Sequence, residues 1–316
     1  MVIVAPLQLA LYTIVVLLGI LGNCIVIGVV GENMLQEGSR GPSSDIILLN
    51  LALSNLLISL VRNLLLVIVD AGAELYLSLG WCRFFMCIWV WLRCANVWST
   101  FFLSAFHHYT LHRVGPALNH SQGFRELHRV LLGLGLVWAF SLLYSIPGYI
   151  YSKNGGRNRT ETLMLITTTT RPLLGCVWDF PTAYIGLAFV TTSLVIHEMV
   201  PIILMSITNL SSLYTLYKHG RTRAGTSKHE DPLIVRKIPA ERRAAKVILA
   251  LITLFIVCWG TSFISINHFN FNGGQNVEFL FSLARFTNSG FIALSPVVLA
   301  FGHRRIRAVV KAILAH

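Results

Sequence analysis

Polar and apolar positions in this chain segregate by whole segments. Apolar runs occupy residues 7–30, 46–69, 84–111, 130–151, 182–217, 244–266 and 279–301. Each is near or above the roughly 20 residues that a helix needs to cross the hydrocarbon core of a bilayer. The stretches between them are short and polar, and the first, 31–44, contains Gly38, Gly41 and Pro42 and reads as a connector. The pattern predicts an all-α membrane protein: one domain over 1–316, a seven-transmembrane helix bundle with no room for a separate soluble domain. The first run starts close to Met1 without a basic stretch or a small-residue cleavage site, so we expect a first helix there, not a removed signal peptide. After the last run, Ile306, Val309, Val310, Ile313 and Leu314 recur at helical spacing, with Arg304, Arg305, Arg307 and Lys311 largely off that face. That predicts a short amphipathic eighth helix over 303–314, lying on anionic membrane lipid.

A few polar residues interrupt the apolar runs, and they carry the functional information. The third span holds Arg93, eleven residues after Cys82 and so about 16 Å below it on a helix. A cation at that depth is costly and predicts function; the alternative is an arginine that snorkels or pairs with an acid on a neighbouring helix. Arg62 in the second span has two readings of equal weight, a pocket residue or one that reaches water or Asp70. Asn23 in the first span is expected to bond backbone across helices. In the seventh, Pro296 is expected to kink or locally unwind the helix, with Asn288 and Ser295 satisfying the freed carbonyls.

Composition then narrows the class. Of 316 residues 55% are hydrophobic and only 12% charged, against about 25% charged in soluble proteins. The net charge of +12 could suggest nucleic acid, but its placement argues for a membrane. Basic residues gather in every second loop: Arg40; then Arg113, Arg125 and Arg129; then the run from Lys218 through Arg236, Lys237, Arg242 and Arg243 to Lys246. Those loops are expected to face the cytoplasm, with the N-terminus outside. Cys82 and Cys176 both fall at the outer face, where a disulfide is permitted. Asn158, followed by Arg159 and Thr160, is a glycosylation acceptor on the outer side. The histidines look scattered or superficial, and we find no metal-ligand spacing and no nucleophile–base pair within one span. Neither enzyme activity nor a cofactor is expected.

Seven spans, a cysteine at the head of the third with a partner in the second outer loop, and an amphipathic tail resemble a G-protein-coupled receptor. The usual signatures are altered. Phe106-His107-His108-Tyr109 stands in place of Asp-Arg-Tyr, Ser295-Pro296-Val297-Val298-Leu299 in place of Asn-Pro-x-x-Tyr, and Asn55 in place of the sodium-holding acid. No proline follows Trp259. These departures are similar to the vomeronasal type-1 receptors and, most of all, the fish class A-like olfactory receptors. The similarity rests on Phe102-Leu103-Ser104-Ala105-Phe106, Leu216-Tyr217-Lys218-His219, Glu241-Arg242-Arg243-Ala244 and Leu294-Ser295-Pro296-Val297-Val298-Leu299. The long basic loop 218–246 and the pair His107-His108 depart from most mammalian members.

The resemblance implies a chemosensory receptor at the plasma membrane, multi-pass, for an odorant or pheromone. The family's third-helix arginine falls on Arg93 and its outer fifth-helix acid on Glu198. The inner ends, with His107, His108, Lys218, Arg242 and Arg243, are expected to meet a heterotrimeric G protein of inhibitory type. Arg62, Arg93 and Arg285 outnumber Glu198 in the outer half, so an acidic ligand is expected among Arg93, Arg285, Glu198, Arg62, Trp89, Asn96, Trp259 and Phe263. The competing class is an anion channel or transporter, disfavoured because the two halves show no internal repeat.

Overall fold

A computed structural model describes residues 6–37, 43–73, 77–112, 120–154, 167, 169–170, 175–224, 232–271, 277–302, 306–308 and 312. Seven helices among them are long and apolar enough to cross a membrane. They are α1 (Pro6–Glu37), α2 (residues 43–70), α3 (Leu79–His112), α4 (His120–Ile150), α5 (residues 183–224), α6 (Pro232–Phe271) and α7 (Val277–Gly302). Several run well past their apolar stretches. The connector expected over 31–44 is helical through Glu37 and again from Ser43, and the basic loop expected over 218–246 is helical through Ala224 and from Pro232. Lys, Arg, Glu and Ala are good helix formers, and a helix already nucleated in the bilayer extends into them.

Two helices change winding in mid-course. In α2 the residues Ser59–Leu64 form a π-helical turn between Ser43–Ile58 and Leu65–Asp70. In α5 the residues Leu194–Met199 do the same between Ala183–Ser193 and Val200–Ala224. A π-turn adds one residue to the repeat and so shifts the phase of everything beyond it. Arg62 and Asn63 lie within the first turn, His197 and Glu198 within the second, and all four are buried.

The bundle is built around α3. Two-thirds of its spanning window, 67%, is buried, against 22% for α4, so α3 is the axis and α4 a wall. The exposed leucines and isoleucines of α1, α4 and α5 face outward; in lipid such residues need no cover, because acyl chains are as apolar as they are. Outside the membrane, β1 (Ser152–Asn154) pairs antiparallel with β2 (Cys176–Trp178), a hairpin that the sequence did not announce. Gly175, with φ of 76°, takes a left-handed turn into β2 that other residues rarely adopt. Cys82 and Cys176 are disulfide-bonded, which ties the hairpin to the head of α3.

Two close approaches set the relation of α1, α2, α3 and α7. Gly22 faces Pro296 so closely that a methyl group there would stand 2.8 Å from the proline Cγ. Asn23 Nδ2 donates to Gly19 O at 2.7 Å and to Ile292 O at 3.0 Å. Ile292 O is the carbonyl that Pro296 deprives of its helical partner, and Ser295 Oγ donates to it as well, at 3.3 Å. With that carbonyl satisfied, α7 continues unbroken to Gly302, without the local unwinding expected, and Asn288 is released for another task. Farther in, Asn96 Nδ2 donates to Ser54 Oγ and Asn55 Oδ1, both at 2.9 Å, and Asn55 Nδ2 donates to Ser295 Oγ at 3.3 Å. Of the expected eighth helix, residues 306–308 and 312 are helical and Ile306 is buried in the core; the rest lies outside the described residues.

Candidate functional site

Arg93 lies at the centre of the outer half and is 3% exposed. Its guanidinium carbon stands 3.4 Å from the centre of the Trp259 ring on α6 and 5.8 Å from that of Trp89, one turn away on α3. One terminal nitrogen donates to Asn288 Oδ1 on α7 at 2.5 Å, and Asn288 Nδ2 in turn donates to Ser262 Oγ on α6 at 2.9 Å. The arginine thus joins α3, α6 and α7. Burying it costs about 3 kcal/mol, of which a desolvated cation–π contact returns about 2. Two donors are left over. Arg93 Nε and Trp259 Nε1 are both buried and meet no acceptor among the described residues. Phe255 stacks on Trp259 at 5.4 Å, and Phe291 closes edge-on against Phe255 at 4.9 Å, which fixes the indole from below.

Arg62 is the second buried cation, with its guanidinium 4.2 Å from the Trp89 ring centre. It is carried inward by the π-turn of α2 and does not take Asp70. That carboxylate pairs with Arg285, whose guanidinium also lies 3.8 Å from the Tyr12 ring centre. Here the expectation is corrected: the charge of Arg285 is met inside the protein by Asp70, an acid that the sequence reading had offered to Arg62. Among the described residues buried between the helices here, Arg62, Arg93 and Arg285 face two carboxylates, Asp70 and Glu198, and Asp70 is taken by Arg285, which leaves Glu198 to the Arg62–Arg93 level.

Thr169, from the second outer loop, caps the cluster. Trp89 Nε1 donates to its carbonyl and its own N–H donates to Glu198 Oε1, both at 2.9 Å. Trp178 on β2 donates to the neighbouring Thr170 carbonyl at 2.6 Å. Glu198 therefore points into the bundle as expected, and it holds the loop there. The residue before it was not singled out as a site. His197 Nδ1 accepts from Trp98 Nε1 at 3.0 Å, and its ring lies 4.0 Å from that of Tyr144. An indole N–H only donates, so the imidazole proton is on Nε2, which is buried and meets no partner among the described residues.

Other expectations shift. Asn96 faces the neutral network with Ser54 and Asn55, not the Arg93 cluster, because it lies most of a turn farther in on α3. Phe263 is half-buried one turn outward of Trp259, with no ring contact to the cluster. At the inner end His107 is buried, 6% exposed, and so turned away from the surface; His108 is half-buried and Lys218 exposed. Arg242 and Arg243 lie on the inner extension of α6. Asn158 falls outside the described residues.

Comparison with known proteins gives a consistent result. The family described as 7 transmembrane receptor (rhodopsin family) matches residues 22–293. The chain is 44% identical over 310 residues to olfactory receptor class A-like protein 4 of Danio rerio, covering 96% of this chain and 88% of that protein. It is 25% identical over 257 residues to the C-X-C chemokine receptor type 3 of Bos taurus, and 23% over 259 residues to the human galanin receptor type 2, covering 57% of each.

Proposed function

The chain belongs to the rhodopsin family of seven-transmembrane receptors, and from that premise we propose that it is a chemosensory receptor for a small organic acid. The observation that carries the ligand class is the pair of buried donors, Arg93 Nε and Trp259 Nε1, that meet no acceptor among the described residues, beside the Arg93 guanidinium, which forms no ion pair among them. A carboxylate or sulfate group accepts hydrogen bonds only and brings the missing negative charge, so it suits that place on both counts. The rings of Trp89, Trp259 and Phe255 suit a compact apolar or aromatic body. The chemosensory assignment draws on the similarity to the zebrafish class A-like olfactory receptor protein, which extends over nearly the whole chain.

Signalling follows by population shift. An acid that binds the active packing of α3, α6 and α7 better than the resting one favours the former in proportion to the difference in affinity. The inner ends of α3, α5 and α6 then admit a heterotrimeric G protein, and family resemblance favours the inhibitory type. The basic inner loops favour a plasma-membrane orientation with the N-terminus outside. The test is agonist-dependent nucleotide exchange in cells expressing the receptor, across small acids, amines and steroids. Arg93→Ala should lower the potency of acidic agonists at least about 100-fold, equivalent to about 2.8 kcal/mol. Unchanged potency for every active acid would refute the site.

A further inference from the structure

Two imidazoles meet at the inner end of α3. His108 and His112 are four residues apart, so the helix sets them on one face in successive turns. Their ring centres are 4.4 Å apart. The sequence places His108 at the expected G-protein face; its pairing with His112 is a feature of the structure. His108 is half-buried and His112 exposed, so the pair opens to the inner membrane surface.

One nitrogen of each ring is tied to α5. His112 Nε2 lies 3.1 Å from Thr215 Oγ1, and His108 Nδ1 lies 3.3 Å from Ser212 Oγ. The Thr215 hydroxyl already spends its proton on the Ser211 carbonyl, at 2.9 Å. A hydroxyl has one proton to give, so with that proton on Ser211 O it is His112 Nε2 that donates, and in the neutral form of the ring Nδ1 carries the free lone pair. His108 takes the matching arrangement when its Nδ1 donates to Ser212, which leaves the lone pair on Nε2. Neutral imidazoles with one nitrogen free and the other held by an oxygen are the form in which histidine ligates metals. Nitrogen donors select borderline transition metals; magnesium and calcium require oxygen.

We propose that His108 and His112 form a two-histidine site for a divalent transition-metal ion of the zinc or copper class, with water completing the coordination. Among the described residues no third histidine, cysteine or carboxylate joins them, and His107 is turned into the bundle. The site is therefore open and its metal exchangeable. A metal held by both rings ties the last two turns of α3 together while their other nitrogens grip Ser212 and Thr215. It stiffens the α3–α5 contact and so holds back G-protein activation. This last consequence rests on the receptor reading; metal binding itself does not.

The experiment titrates zinc against the purified full-length protein in detergent, in competition with a chromophoric zinc chelator, and records copper(II) electron paramagnetic resonance on the same samples. We expect one zinc site whose affinity falls about 100-fold in His108→Ala and in His112→Ala, and about tenfold in Thr215→Val, which keeps both ligands but loses the hydroxyl that orients one. The copper spectrum should show two coupled nitrogens, reduced to one in either alanine variant. Alanine preserves the helix, and circular dichroism confirms folding. Zinc affinity equal in wild type and in the double alanine variant, or a copper spectrum without two nitrogens, overturns the site. Zinc should also depress nucleotide exchange in wild type but not in His112→Ala; binding without that effect overturns the regulatory role and leaves the metal site standing.

Discussion

In the outer half of the bundle, Arg62, Arg93, Arg285, Asp70 and Glu198 stand between the helices, held by indole faces, by one ion pair and by the backbone of a loop. In the inner half, α2, α3 and α7 meet through Ser54, Asn55, Asn96 and Ser295, a network without a charged member. The two halves face the same solvent problem with different energies. A charge left unanswered in a bilayer costs several kcal/mol, so the outer half is stable only when each cation has a ring, an acid or a ligand. A neutral side-chain bond between membrane helices is worth about 0.6 kcal/mol, so the inner half can repack cheaply. Under the proposed function, ligand energy is taken up where charge is concentrated and expressed where bonds are weak.

This contrast can be broken at three points. The largest effect should come from Cys176→Ser. The disulfide holds the loop that carries Thr169, and its loss should cost about 2–5 kcal/mol and abolish agonist response, measured by thermal unfolding in detergent and by nucleotide exchange. Preserved response would show that the loop needs no anchor. Next is Asp70→Asn, which leaves Arg285 without its acid. The pair is only partly enclosed, with side chains 13% and 15% exposed, so we expect about 2 kcal/mol, between the surface and fully buried cases. The double variant with Arg285→Gln should recover most of it. Smallest should be Asn96→Ala, at about 1 kcal/mol of stability, with little change in the potency of acids. If the inner amide cost more than the outer ion pair, the division between the halves would fail.

Most of the scaffold was legible because bilayer thickness dictates it: seven runs, Cys82 and Cys176 at one face, and Arg93 buried within a span all follow from length and polarity. Pairings were less legible. Arg285 and Asp70 belong to different helices 215 residues apart, and no periodicity relates them. The positions of Arg62 and Glu198 depend on π-turns that shift the helical phase, and a 3.6-residue repeat misplaces every residue past such a turn. Asn96 is three residues from Arg93 and so close to its helical stripe, but its depth places it among the amides. The hairpin was hidden because three-residue strands leave almost no pattern.

The cap at Thr169 has a consequence for how the protein can vary. It meets Trp89 and Glu198 through its own main chain, while its side-chain hydroxyl is buried and meets no partner among the described residues. The lock is therefore asymmetric. One side can be written by any residue of similar size, and Thr169→Val should be tolerated, since it removes only an unmatched polar atom. The other side needs a hydrogen-bond donor at position 89 and an acceptor at position 198. Mutational drift at this loop is limited by volume, whereas at the two helices that clasp it the limit is chemical.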